Sequence, residues 1–311
     1  MLHLRVVCPR EHSDEVVRLL DGHAGVAHLV RLPDAVLRPA GDLIEADVAR
    51  ESADDVLALL CDLGVDHSGG ITLENIDTAM SDAADAAEER APGEGADAVV
   101  WEELISRTGE ESRLTATYVA FVTLACMLAA VGVVTDSPVT IVGAMVVGPE
   151  FGPLAAIAVG LVGKRWDLVR RALLALVAGF AFAMAVTGVC AWLGERFGLF
   201  TIEKVMHAAQ VDFIYRVGPF SLIVALLAGA AGMLSMTSAK SAALVGVFIS
   251  VTTIPAVGYA VIAAVTGQWG RFGGSLGQLA VNLLGIVVAA TAVLLLRKRR
   301  RAAMTRPLSK G

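Results

Sequence analysis

The segment 137-SPVTIVGAMVVGPEFGPLAAIAVGLVGKR-165 has the length and apolarity of a membrane span. Its middle nevertheless holds Pro149 and Pro153, Gly148 and Gly152, and one carboxylate, Glu150. Each proline removes a backbone donor, and the glycines loosen the turn. An ionisable group at the centre of a bilayer costs about 2.5–3.5 kcal/mol on insertion scales. Glu150 lies about twelve residues from either end of the segment, roughly 18 Å at the helical rise, which is too deep for a short carboxylate to reach water. A continuous lipid-facing helix is therefore excluded. Broken backbone at that depth is tolerated only against protein or a water-filled cavity, and the carboxyl group must be protonated, paired or hydrated.

Working outward, the 311 residues are 56% hydrophobic and only 18% charged, with a mean hydropathy of +0.67. This composition excludes a wholly soluble protein and points to a polytopic helical membrane protein with a soluble part. Six apolar stretches, 115–134, 138–162, 168–193, 217–236, 241–265 and 276–296, approach or exceed the ~20 residues that cross a bilayer. Basic flanks such as Arg107, Arg113, Lys164, Arg165 and the run 297-RKRRR-301 fall on one side. The positive-inside rule then puts both termini in the cytoplasm of a multi-pass protein of the inner (plasma) membrane. No signal-peptide pattern is legible at the amino terminus. The net charge of −6 argues against nucleic acid as a partner, since phosphate backbones call for a basic stripe.

The second and fifth spans align on their Val-Gly pairs from Val142 and Val245. This sets Glu150 opposite Thr253, with Pro153 one place from Pro255. Three spans per half would make the halves a 3+3 inverted repeat with broken second and fifth helices, the arrangement in which transporters hold a site near the midplane. The expected solute or ion pathway comprises Gly148, Pro149, Glu150, Gly152 and Pro153 from the second span. Lys240, Ser241, Thr252, Thr253 and Pro255 join from the fifth and Asn282 from the sixth. Packing alone is the plainer reading of the glycines, because Gly148 and Gly152, like Ala225 and Gly229, have a spacing that lets helices approach closely.

Residues 1–78 alternate between strand and helix periods in the order βαββαβ, the pattern of ferredoxin-like and ACT-like α+β domains. Pro33 and Pro39 fall near the expected hairpin turn, and Ser52 and Gly64 near the ends of the second helix. His3 and Arg5 share one face of the first strand, and Glu45 and Asp47 one face of the third, its expected neighbour. Such a face could hold a metal or an anion; cross-strand pairing on a solvated or dimer-facing sheet is the plainer reading. Residues 79–114 read as a flexible or partly helical acidic linker and a juxtamembrane helix with Trp101 at the interface. The six spans then occupy 115–296, and 297–311 forms a basic cytoplasmic tail. Four scattered cysteines have no metal-ligand spacing, so no metal or cofactor is expected.

The block of Ser137, Pro138, Val142, Gly143, Ala144, Met145, Pro149, Gly152 and Pro153, followed by 228-AGAAGMLSMTSAKSAALVGVFISVTTIPAVG-258, resembles the hydrophobic core of the bacterial and archaeal membrane proteins grouped as domain of unknown function 389. The resemblance covers about 115–296. It implies a small or apolar residue where this chain has Glu150, and it brings no activity. No nucleophile–base pair, HExxH, Walker or dinucleotide pattern is present, so no enzyme is expected. The leading expectation is a small-solute or ion transporter or channel whose cytoplasmic head senses a ligand or mediates homo-oligomeric assembly. The alternative is a membrane sensor or scaffold that transports nothing.

Overall fold

A computed structural model describes residues 1–91, 93, 98–201, 214, 218–238 and 253–304, with side chains through 299. It divides into two compact units, the first mainly Met1–Glu103 and the second Leu104–Met236 and Lys240–Arg299.

The first unit is a four-stranded antiparallel sheet: β1 Leu2–Cys8, β2 Val26–Leu37, β3 Ala40–Val48 and β4 Gly70–Asn75, in the order β2-β3-β1-β4. Helices α1 Arg10–Asp21, α2 Ala53–Asp62 and the short α3 Val65–Ser68 complete the expected β-α-β-β-α-β succession. Alternation drives the assembly. Leu2, Leu4, Val6 and Cys8 are buried, while His3, Arg5 and Val7 turn to the opposite face. Ile44 and Val48 of β3, Val16 and Leu20 of α1, and Val56 and Leu60 of α2 close the core. Gly64, at φ +71°, ends α2 in the left-handed conformation that glycine favours.

One local reading changes and two gain detail. Pro33 lies inside β2 rather than in the turn; β2 is an edge strand, and its pairing with β3 shifts register between Leu32 and Val36, where a missing amide costs no ladder bond. Ser52 is the N-cap residue of α2, at the helix start as expected, buried and without a side-chain capping hydrogen bond. Part of the acidic linker is ordered as α4, Asp82–Arg90, whose N-cap Ser81 accepts from the amides of Ala83 and Ala84. α4 packs on β2 through Ala84 and Ala87, an alanine face that carries almost no hydropathy signal. The Trp101 amide, at the start of α5 Trp101–Glu111, donates to Asp54.

Asp42 anchors the β2–β3 hairpin. Its buried carboxylate accepts from Ser13 Oγ at 2.6 Å, the Asp34 amide at 3.0 Å and Arg31 Nε at 2.9 Å. The Ser13 hydrogen bond leads, followed by the Asp34 amide and, after the opposing effect of burial, Arg31; together they hold the carboxyl down to about 2 from an ordinary 3.8. A folded value below the unfolded one means stability that is present above about pH 4 and lost as pH falls toward 2. For a fragment of residues 1–103, the denaturation midpoint should fall over that window. Asp42→Asn should flatten this dependence and cost about 2 kcal/mol at neutral pH, the scale of hydrogen bonds to a charged group. An unchanged pH profile in the variant would refute the assignment.

The second unit carries the apolar helices: α6 Ala116–Val134, α7 Pro138–Val147, α8 Phe151–Val162, α9 Trp166–Arg196, α10 Pro219–Thr237, α11 Thr253–Val265 and α12 Trp269–Met304. Four of them, α6, α9, α10 and α12, are long and apolar enough to cross a membrane. The pair α7 and α8, bent by 51° at its break, makes a fifth candidate. The six expected spans are thus reduced to four or five among the described residues. Of the fifth expected span only α11 is described; Lys240, Ser241 and Thr252 lie outside the described residues. α6 packs against α7, α9 and α11, and α8 lies along α9.

Candidate functional site

The break between α7 and α8 follows from the sequence one residue at a time. Ser137 caps α7, its hydroxyl accepting from the Thr140 amide at 3.3 Å, and Pro138 occupies the first helical position, where no amide is needed. Gly148 and Pro149 leave the helix. Glu150 is the N-cap residue of α8, and its carbonyl accepts the first helical bond from Leu154 N at 3.3 Å. Pro153 sits third in α8, among first-turn amides that have no partner in any helix. Both prolines are therefore placed where they remove little, and the chain turns without stranding many backbone donors.

Glu150 is buried, 8% exposed. Thr253, the first residue of α11, donates its hydroxyl to Glu150 Oε1 at 2.5 Å. Two residues set opposite one another by the Val-Gly register are thus in contact. Pro255 lies two residues after Thr253 and Pro153 three after Glu150, the one-place offset of the sequence register. The amino-terminal end of α8 presents the partial positive charge of its unpaired amides beside this carboxylate. Among the described residues, Glu150 Oε2 has no hydrogen-bond partner.

Close packing holds this geometry. A Cβ on Gly148 would lie 2.3 Å from Glu150 Oε2 and 2.7 Å from Ile254 Cγ1. One on Gly152 would lie 2.7 Å from Glu111 Cβ, so the two glycines serve different neighbours and not one helix seam. Phe151 fills the space beside Gly232 of α10. Ala225 and Gly229 of α10 meet Gly285 and Ile286 of α12, which uses that small-residue pair within the chain.

Three residues at this site were not singled out by the sequence. Tyr118 and Cys126 of α6 are buried and interact with the charge of Glu150, and the Tyr118 hydroxyl has no hydrogen-bond partner among the described residues. Glu111, at the end of α5, reaches the first turn of α8. An aromatic and a thiol near a span's apolar face read as packing, and a glutamate on an amphipathic helix reads as solvated, so only the fold reveals them. Asn282 is buried on α12, where Gln278 Nε2 donates to its Oδ1 at 3.3 Å.

On the first unit, the face expected to hold His3, Arg5, Glu45 and Asp47 is formed: Arg5 is opposite Glu45 and His3 opposite Asp47. Asp47 engages two histidines, His3 Nδ1 at 3.0 Å and His28 Nδ1 at 2.7 Å, and His28 Nε2 contacts Ser81 Oγ at 2.8 Å. Burial opposes ionisation of Asp47, and the two histidines outweigh it to lower the carboxyl. His28 reaches this position because it takes φ 49° at the register shift in β2. No three His, Cys, Asp or Glu side chains converge as a metal site among the described residues.

These features define an α-helical membrane protein with a carboxylate at a helix break. Residues 145–288 match the family model described as Domain of unknown function (DUF389). An uncharacterized protein of Methanocaldococcus jannaschii is 24% identical over 169 residues, covering 54% of this chain and 50% of the relative. The chain thus spans half the length of the curated relative it matches. No solved structure matches.

Proposed function

We propose that this protein is a transporter or channel for a small solute or ion in the plasma membrane, with the α7–α8 break and Thr253 of α11 forming the pathway. The observation that carries the reading is Glu150 itself, a buried carboxylate with one oxygen held by Thr253 and the other without a described partner. A group left this way costs free energy that packing does not require. The contact between Glu150 and Thr253, which the Val-Gly register sets opposite one another, supports an inverted repeat. Both termini lie in the cytoplasm in this reading, and no catalysis is assigned.

The sheet order β2-β3-β1-β4 supports a ferredoxin-like head, and we assign it an assembly or sensing role. His3 and Asp47 are bonded to each other, which favours cross-strand pairing over a vacant ligand face. A homo-oligomer rests on the head alone, since the small residues of α10 pack inside the chain. The decisive experiment is reconstitution of the purified protein into liposomes with an entrapped pH-sensitive dye and a set membrane potential. Flux above protein-free liposomes is expected. Absence of flux for protons, inorganic ions and a panel of small solutes would leave the scaffold reading in its place.

A further inference from the structure

The sheet of the first unit buries one face under α1 and α2 and leaves part of the other uncovered. The strand register fixes what stands there, because residues paired across strands point to the same side. One row across the sheet is Val30, Glu45, Arg5 and Thr72. The next is Leu32, Leu43, Val7 and Gly70. Val30 and Leu32 are 45% and 43% exposed, and neither packs into the core. Arg5 and Glu45 are cross-strand neighbours of opposite charge, yet neither enters an ion pair among the described residues. A Cβ on Gly70 would meet nothing within 4 Å, so its row ends in a gap. On the other side of Arg5 the face is closed: Asp47 engages His28, and His28 reaches Ser81 at the start of α4.

The two open rows fit a copy of themselves. The order β2-β3-β1-β4 puts two strands on either side of the boundary between β3 and β1. A two-fold axis along that boundary, with the sheets stacked at the usual ~10 Å, lays β1 over the β3 of a second copy and β2 over its β4. Arg5 then meets Glu45, Val7 meets Leu43, and Leu32 enters the gap at Gly70. A partner surface of a single charge would instead set like charge against either Arg5 or Glu45.

We infer that this open part of the sheet is the surface through which two copies of the chain pair by their heads, with Arg5 and Glu45 exchanging partners across the axis. It rests on the assembly role assigned to the head and gives that role a location. Two rows of side chains fall short of the roughly 20–30 residues a side that a free-standing interface uses. The pairing therefore depends on the membrane, which holds copies at high local concentration.

The full chain, carrying donor or acceptor dyes at its carboxy terminus, is reconstituted into liposomes over a range of protein-to-lipid ratios, and energy transfer reports association. Wild type should associate. Arg5→Glu and Glu45→Arg should each weaken association about tenfold or more, since like charges then oppose each other on both sides of the axis. An equal mixture of these two variants should associate at least as well as wild type, because every charge again meets its opposite in the other copy, although each chain keeps a like-charged pair of its own. Gly70→Leu should weaken association and leave the melting temperature unchanged, its Cβ having no neighbour within the head. A mixture no better than either variant alone, or a Gly70→Leu protein that associates like wild type, would overturn the inference. Association indifferent to all of these changes would overturn it and leave assembly to another part of the chain. A monomer at every ratio would remove the assembly role as well.

Discussion

Glu150→Gln should lower flux through reconstituted protein by about a hundredfold, the scale on which a proton-transfer group contributes, and leave its melting temperature in detergent nearly unchanged. Glutamine keeps the length of the side chain and an Oε1 that can accept from Thr253, so the contact between the α7–α8 break and α11 survives. Only the ionisable oxygen is lost. Removing a charge buried without a full set of partners also removes its desolvation cost. The pair of outcomes separates function from architecture: a group retained for folding would cost stability when altered, and a group retained for passage costs rate. Loss of fold together with loss of flux would make Glu150 a structural residue.

Gly258→Leu should prevent assembly of the second unit. α11 crosses α6 at this glycine so closely that a Cβ alone would lie 2.6 Å from Ala129 Cβ, 2.9 Å from the Ala130 nitrogen and 3.0 Å from the Ala129 carbonyl carbon. Two of these three atoms are backbone and have no rotamer to change. Overpacking a core by a few methylenes costs about 1–3 kcal/mol where side chains can move, and a leucine against backbone exceeds that range. The control is Gly143→Ala in α7, where nothing lies within 4 Å of the added carbon; it should be neutral, or stabilise by up to about 1 kcal/mol through helix propensity. Size-exclusion profiles and thermal melts in detergent decide the matter. A monodisperse Gly258→Leu protein with wild-type stability would mean that α11 and α6 are not packed as described.

How much of this was legible depends on whether a feature is written in one residue or in a contact. The break was legible because proline, glycine and glutamate each carry their own cost at membrane depth. The cap at Ser137 and the meeting of Glu150 with Thr253 could be read from local pattern and register. Partial helicity of the linker was legible but the docking of α4 was not, since alanines at 84 and 87 provide a small packing face without a hydrophobic stripe. Pro33 read as a turn signal, and only the position of β2 at the sheet edge makes a strand proline acceptable. His28 enters the Asp47 network by a backbone irregularity that no periodicity encodes. Glu111 is the most instructive omission. Its place at the site depends on an absent side chain, that of Gly152, forty-one positions away in the chain.

The central claim is that position 150 lies on a path open to water. The most direct measurement is the reactivity of Glu150→Cys, in a chain whose native Cys8, Cys61, Cys126 and Cys190 have been replaced, toward a charged, membrane-impermeant thiol reagent in liposomes. The account predicts modification from at least one side of the membrane. A thiol at position 150 that stays unmodified from both sides, in a protein that remains folded and monodisperse, would contradict it.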